Sequence, residues 1–409
     1  MRILVTSTLY PPVVLGGYER ECAIVVDRLR EEHEVLVLTS DYGDGKHATF
    51  PPYVRPAFTA LSPDARGALR APVASVRAVR AARAALAEFR PDFVYAWNGS
   101  SIPHAALRVL ADSGTPMAFR VCEHWFAGLF TGDQYLRELL PAPRSPARRA
   151  WAGVCQALNA APGMRLDPLA PFPAAISWIT QRMRAETIVP PAVQPVLERV
   201  RHAVPRSGER YATLERAPAP RPEIAFIGRV TAYKGLDVAV EALALLRAQH
   251  GIEARLVVAG PEDAGHAAEV RAQADARGVA GAVDWLGPQD SAGIERLLAR
   301  THAVIVPSVW DEPLGLVPIE AAFARVPVVA SDVGGIGEAM RGDEHALLFP
   351  PGDAAAAAAA LARTLTATEE TAARVARART RADDFRLQPY LDEQARFVRD
   401  AHAQLRARR

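Results

Sequence analysis

Apolar runs of five to seven residues recur along the chain. Each is followed by a polar loop and then by a stretch with helical spacing. RILVTST at the start reads as a buried parallel strand. The loop LYPPVVLGGYE follows it, and a helical pattern then runs from Glu19 to Arg30. EVLVLTS (34–40), PDFVYAW (91–97) and TPMAFRVC (115–122) repeat the strand pattern, with Ala-rich helical stretches between them. IVPPAV (188–193) closes this first series. The intervening region 127–175 is less regular, rich in Pro and Arg, and carries Trp151. It is too long for a plain connector and reads as a functional flap or a poorly ordered segment.

The alternation restarts in the second half. EIAFIG (223–228), ARLVVAG (254–260), AVDWLG (282–287), AVIVPS (303–308) and PVVAS (327–331) are the expected strands. Helices are expected over 235–249, 264–278, 290–300, 317–325, 353–366 and 388–407. Strands that alternate with helices predict an α/β protein with two doubly wound, Rossmann-like parallel-sheet domains. The expected boundaries are 1–194, a linker over 195–221 that lacks clear periodicity, and 222–384. The helical segment 385–409 is expected to pack back on the first domain.

A length of 409 residues fits two cores better than one. A net charge of +2, and no basic stripe with interleaved aromatics, give no reason to expect a nucleic-acid partner. Cys22, Cys122 and Cys155 form no C-x-x-C pair, which fits a reducing, cytoplasmic setting. The N-terminus lacks the charged and apolar regions of a signal peptide, and no apolar run reaches the ~18 residues of a membrane span. RSPARRAW (144–151) could touch acidic head groups from the membrane periphery, and reads equally as a solvated loop. Of the 48 basic residues only Lys46 and Lys234 are not arginine, so an ammonium at Lys234 stands out.

Lys234 lies in GRVTAYKG (228–235), between a strand and a helix. Arg229 offers a planar fork of donors and Lys234 a point charge, a pair that suits a diphosphate. Two solvated cations in a loop are the alternative. In DEPLGLVPIEAA (311–322) a Gly-containing turn enters a helix N-terminus, which is a ready anion site. Glu312 sits in the turn and Glu320 on the helix. Eight helical residues span about 12 Å, beyond the roughly 5–9.5 Å of a glycosidase acid/base pair. The two carboxylates suit instead the two ends of an elongated polyhydroxylated ligand. The alternative is a loop Glu and an exposed helical Glu. The glycines of SDVGGIGEAM (331–340) allow a tight turn or close approach to a ligand. Gly16 and Gly17 precede another helix, without the pattern of a dinucleotide or Walker loop. Glu123 and His124 follow a strand, and either could hold a proton or bind a sugar hydroxyl. No Asp-x-Asp pair and no metal-ligand spacing occur, so no metal is expected.

Together these motifs resemble the retaining glycosyltransferases of family 4, which have the GT-B architecture. PP-x4-GG, G-R-x4-K-G at 228–235, E-P-x-G-L-x-P-x-E-A at 312–321, S-D-V-G-G-I-G-E at 331–338 and ALLFPPGD at 346–353 carry the likeness. The resemblance implies two Rossmann-like domains facing a cleft. The C-terminal one would hold a nucleotide-sugar donor, a UDP-sugar by preference, with no other cofactor. Arg229 and Lys234 would bind its diphosphate and Glu312 its sugar hydroxyls. The backbone of Leu314, Gly315, Leu316 and Val317 would touch sugar and phosphate, and Glu320 would hold the ribose. Gly16 and Gly17 would close over the phosphates. The acceptor, a sugar, a lipid-linked molecule or a natural product, would bind the first domain. One departure stands out: Cys122 falls where the family often has a histidine, with Glu123 and His124 beside it. His124 is the preferred substitute. A non-catalytic sugar-nucleotide-binding protein and a GT-B-fold epimerase are the alternative functions.

Overall fold

The computed structural model describes residues 1–43, 48–205 and 208–408. Lys46, residues 206–207 of the stretch read as linker, and Arg409 lie outside the described residues. In chain order the elements are β1 (Arg2–Thr6), α1 (Gly17–Arg30), β2 (Glu34–Ser40), β3 (Val54–Phe58), α2 (Ala65–Phe89), β4 (Phe93–Ala96), α3 (His104–Asp112) and β5 (Met117–Val121). Then come α4 (Pro146–Ala160), β6 (Phe172–Trp178), α5 (Gln181–Glu186), β7 (Val193–Val200), α6 (Gly208–Tyr211), β8 (Glu223–Ile227) and α7 (Leu236–His250). β9 (Arg255–Ala259), α8 (Ala264–Ala276), β10 (Val283–Gly287), α9 (Ser291–Arg300), β11 (Ala303–Val306), α10 (Leu316–Phe323) and β12 (Val328–Ser331) follow. The chain ends with α11 (Ile336–Met340), β13 (Leu347–Phe349), α12 (Ala354–Thr366), α13 (Thr368–Ala382) and α14 (Leu387–Arg406).

Two compact units result. One comprises Met1–Ile179, Arg184–Arg201 and Leu391–Arg409; the other comprises Thr180–Met183 and His202–Tyr390. The first holds a seven-stranded sheet in the order β3-β2-β1-β4-β5-β6-β7, and the second a six-stranded sheet in the order β10-β9-β8-β11-β12-β13. All the strand pairs are parallel. Helices cover such strands on both faces, which is why the central strands read as continuous apolar runs. Ile3, Leu4 and Val5 of β1 and Ala225 of β8 are fully buried. The strand order reverses between β1 and β4 in one sheet and between β8 and β11 in the other. Ligands of open α/β sheets bind outside the carboxyl ends of the strands at such reversals.

Several elements depart from the expected pattern, four of them with a plain physical reason. β3 (VRPAF) and β7 (VQPVLERV) each contain a proline, which removes a ladder donor. Both are edge strands, where that donor has no partner to lose. β7 begins where a strand was expected to end and extends into the stretch read as linker. β6 rises out of the irregular region 127–175, and α13 carries too few apolar residues to show a helical stripe. No helix among the described residues is long and apolar enough to cross a membrane.

Candidate functional site

In the second unit the chain leaves β8 at Gly228 and Arg229, then makes a short 3-10 turn over Ala232–Lys234. Gly235 ends the turn in the left-handed region, φ 68°. A Cβ there would lie 2.0 Å from the Pro307 carbonyl oxygen, so only glycine fits. This contact pins the β8 loop on the β11 loop, and the Val309 N–H donates to the Tyr233 carbonyl (3.0 Å) beside it. Lys234 is thereby aimed at Glu312. Its Nζ donates to Glu312 Oε1, and Ser308 Oγ donates to the same oxygen at 2.6 Å. Glu312 is only 6% exposed. Its Oε2 takes no hydrogen bond from the described residues. Tyr233 and Trp310 meet edge to face with ring centroids 5.4 Å apart. Lys234 Nζ lies 5.8 Å from each centroid. Arg229 is exposed, with its guanidinium 5.6 Å from the Tyr233 ring.

The β11 loop then turns through Gly315, the N-cap of α10. The N–H groups of a helix's first turn have no intrahelical partner, and the dipole adds positive potential there. Pro318, the third helical residue, has no N–H to leave unpaired. Leu316, Val317, Gly315, Lys234, Ser308 and Glu312 share one small pocket, floored by the carboxyl ends of β8 and β11. The site therefore stands at the strand-order reversal. Leu314 is 2% exposed, so its side chain belongs to the core and only its backbone can serve a ligand. Glu320 is half-buried one turn into α10 and is not among the residues lining the pocket.

The glycines of SDVGGIGE serve Glu312 itself. Gly334 has φ 53°, and a Cβ on it would lie 1.9 Å from the Glu312 carbonyl oxygen. The Gly335 N–H donates to that same oxygen at 2.7 Å. The expected close approach is thus to another backbone segment. Glu338 in this motif accepts from the N–H groups of Gln181 (2.9 Å) and Arg182 (3.1 Å), and its Oε1 is 2.6 Å from His202 Nε2. Burial alone would push its carboxyl pKa up. The hydrogen bonds from His202, Gln181 and Arg182 outweigh burial and hold it below the usual carboxylate value.

In the first unit the candidates stand apart. Gly16 is the N-cap of α1, and its N–H donates to Glu19 Oε2 at 2.9 Å. The helix's own carboxylate therefore already occupies part of the anion seat that Gly16 and Gly17 were expected to provide. Asn98, just past β4, donates through Nδ2 to Glu123 Oε2 at 3.1 Å and accepts from the Ser100 N–H at 2.8 Å. Cys122, the residue after β5, is only 3% exposed, and burial pushes its thiol pKa well up. It cannot present a polar group to a ligand. His124 opens a 3-10 turn and is exposed. RSPARRAW forms the N-cap and first turns of α4. Two of its arginines are committed: Arg144 Nε (3.2 Å) and Arg148 Nη2 (3.2 Å) both donate to the buried Glu138. Among the described residues no group of three His, Cys, Asp or Glu side chains could hold a metal ion.

Ser308, Tyr233, Trp310 and Asn98 were not singled out from sequence. Ser308 had a signal, since it closes the expected strand 303–308, at the carboxyl edge where ligands bind. Asn98 lay one residue past another such strand.

The segment that builds the pocket has recognisable relatives. Residues 213–381 match the family of group 1 glycosyl transferases. The match covers this pocket and most of the second unit. The D-inositol 3-phosphate glycosyltransferase of Jonesia denitrificans is 38% identical over 131 residues, 31% of this chain and 31% of that protein. The glycogen synthase of Mycobacterium tuberculosis is 34% identical over 177 residues, 42% of each chain. The chain is thus matched over less than half the length of these relatives. Solved structures match over nearly the whole chain. Anabaena HepE, in complex with UDP and glucose, superposes with a TM-score of 0.66 over 98% of this chain and 100% of its own, at 20% identity. Sucrose-phosphate synthase from Thermosynechococcus elongatus gives 0.69 over 98% and 99%, at 18% identity. At such identities these likenesses establish the fold: two parallel-sheet Rossmann-like units, as in GT-B glycosyltransferases.

Proposed function

We propose that the protein is a retaining glycosyltransferase that moves a sugar from a nucleotide-sugar donor, preferably a UDP-sugar, to an acceptor hydroxyl without a metal. The observation that carries this reading is the convergence of Lys234 and Glu312 at the α10 N-terminus, inside the segment related to group 1 glycosyl transferases.

An ammonium has three N–H donors, and Lys234 gives one to Glu312. The others can meet a phosphate oxygen, with Arg229 as a second cation. N–H groups at the start of α10 add fixed donors for the charge that grows on the leaving diphosphate. Donors of this kind, held in place before reaction, are each worth about 3–4 kcal/mol. Glu312 Oε1 is taken by Lys234 and Ser308, which leaves Oε2 for sugar hydroxyls. Glu320 would take the ribose hydroxyls. The diphosphate departs on the face that the acceptor hydroxyl approaches, so the anomeric bond re-forms with the same configuration and no protein nucleophile is needed. In the first unit, His124 is the polar group assigned to the sugar or the acceptor, since Cys122 is sealed in the core. A sugar, a lipid-linked molecule or a natural product remains the acceptor class, to be named by a screen.

A thermal-shift screen against UDP, GDP, ADP and their sugar conjugates tests the donor site. A ligand that binds only the native state raises its stability by mass action. The expected result is a shift with UDP and UDP-sugars that Lys234→Ala abolishes; no shift with any nucleotide would refute the reading. Turnover is expected to be unchanged by a chelator, and a large loss would overturn metal independence. Release of free nucleotide only when acceptor is present separates transfer from epimerisation and from mere binding.

A further inference from the structure

The Arg-rich stretch that invited a membrane reading is tied to Glu138, but another helix presents a free basic face. α2 runs over 25 residues and packs its small side, Ala71, Ala74, Ala78, Ala82 and Ala85, inward. At 3.6 residues per turn, Arg66, Leu69, Arg70, Val73, Arg77, Arg80 and Ala84 fall within about 100° of arc and extend along about 27 Å of helix. All seven are exposed. Leu69 is 67% and Val73 57% exposed, large values for apolar side chains one turn apart. Arg66, Arg70, Arg77 and Arg80 take part in no ion pair among the described residues. The one acid of the helix, Glu88, is engaged by Arg55 at 2.8 Å. Five arginines against one glutamate give α2 a net charge of +4, where the whole chain carries only +2.

We propose that this face of α2 docks the protein on an anionic lipid surface. The four arginines meet head-group phosphates, and Leu69 and Val73 enter the boundary between head groups and acyl chains. Charge complementarity selects the partner, because unpaired guanidinium groups pair with phosphates at such a surface. The two exposed aliphatic side chains favour lipid over nucleic acid: they gain from an apolar boundary, and the stripe has no aromatic ring on which a base could stack. The proposal does not depend on the glycosyltransferase reading.

Co-flotation of the full chain with vesicles tests it, using phosphatidylcholine alone or mixed with phosphatidylglycerol. The protein is expected to float with the mixed vesicles only, and to be released by high salt. An Arg66→Gln, Arg70→Gln, Arg77→Gln, Arg80→Gln variant should lose partitioning by a factor approaching 10³, from about fivefold per arginine. Leu69→Ser with Val73→Ser should lose about tenfold while all the charge remains. Unchanged unfolding midpoints show that the variants are folded, and the UDP shift on the same samples reports the donor site separately. The proposal is overturned if wild type does not float with anionic vesicles, or if the arginine variant floats as well as wild type. It is also overturned if the serine variant is unaffected while a single-stranded RNA oligonucleotide competes for the same arginines.

Discussion

Both sheets reverse their strand order at two central strands, β1 and β4 in the first unit, β8 and β11 in the second, and both place glycine loops there. In the second unit those loops are pressed together, backbone on backbone. Gly235 lies against Pro307, and Gly334 and Gly335 lie against Glu312, so Lys234, Ser308 and Glu312 share one carboxylate oxygen. In the first unit Gly16 meets only the carboxylate of Glu19, and Glu123 is held by Asn98. Where backbones touch, glycine and motif spacing are forced, and the arrangement of the loops can be read from sequence. Where side chains do the holding, many residues suffice, and the sequence carries little signal.

The sharpest way to break this contrast is to add a side chain in each loop. Gly334→Val should cost more than about 3 kcal/mol in chemical denaturation and abolish any nucleotide-induced shift, since its Cβ would collide with the Glu312 backbone at a positive φ. Gly16→Ala should cost less than about 1 kcal/mol, because its φ of −151° is extended and the nearest atom to a Cβ is 3.7 Å away. Similar losses from the two would erase the difference between the two loops.

Next come the polar residues. Lys234→Ala and Glu312→Ala should each lower kcat by about 10²–10³-fold without unfolding the protein. His124→Ala should lower it by about 10²-fold and Glu123→Gln by less. Steady-state kinetics decides, and a Glu123 effect larger than that of His124 would reassign the first unit's polar group.

The smallest expected effect concerns Glu338. Its folded-state pKa is lowered, so it adds stability above the unfolded-state value, and that stability is lost as pH falls through the folded-state value. Glu338→Gln should therefore cost on the order of 1 kcal/mol at neutral pH, where the carboxylate accepts from His202, Gln181 and Arg182. The gap to wild type should close in acid, below the ordinary carboxylate range. Denaturation midpoints against pH check this, and a gap that persists in acid would contradict it.

The legible part of the fold was its alternation. Strands buried on both faces must be apolar throughout, and this marked β1, β2, β4 and β5 and all of β8 to β12. β3 and β7 were hidden by their prolines and polar residues, which their edge positions accommodate, and β6 by its arginine- and proline-rich surroundings. In the site, the motif spacing of Lys234, Glu312, Gly315 and Val317 was legible because a turn and a helix start leave local marks. Glu320, expected at the other end of an elongated ligand from Glu312, stands on α10 outside the pocket lining.

The sequence by itself determined the two-domain α/β class, the strand–loop–helix setting of each motif and the glycine at each forced turn. Those depend on local sterics and on periodicity, which neighbours along the chain decide. Only the tertiary structure decided that Ser308 and Lys234 share Glu312, that Gly334 and Gly335 serve Glu312 itself, that Cys122 is sealed off, and that Arg144 and Arg148 are tied to Glu138 while Arg66, Arg70, Arg77 and Arg80 of α2 enter no such pair among the described residues. These depend on contacts between segments distant in the chain. No local pattern encodes which of many equivalent arginines meets a buried carboxylate and which is left facing solvent.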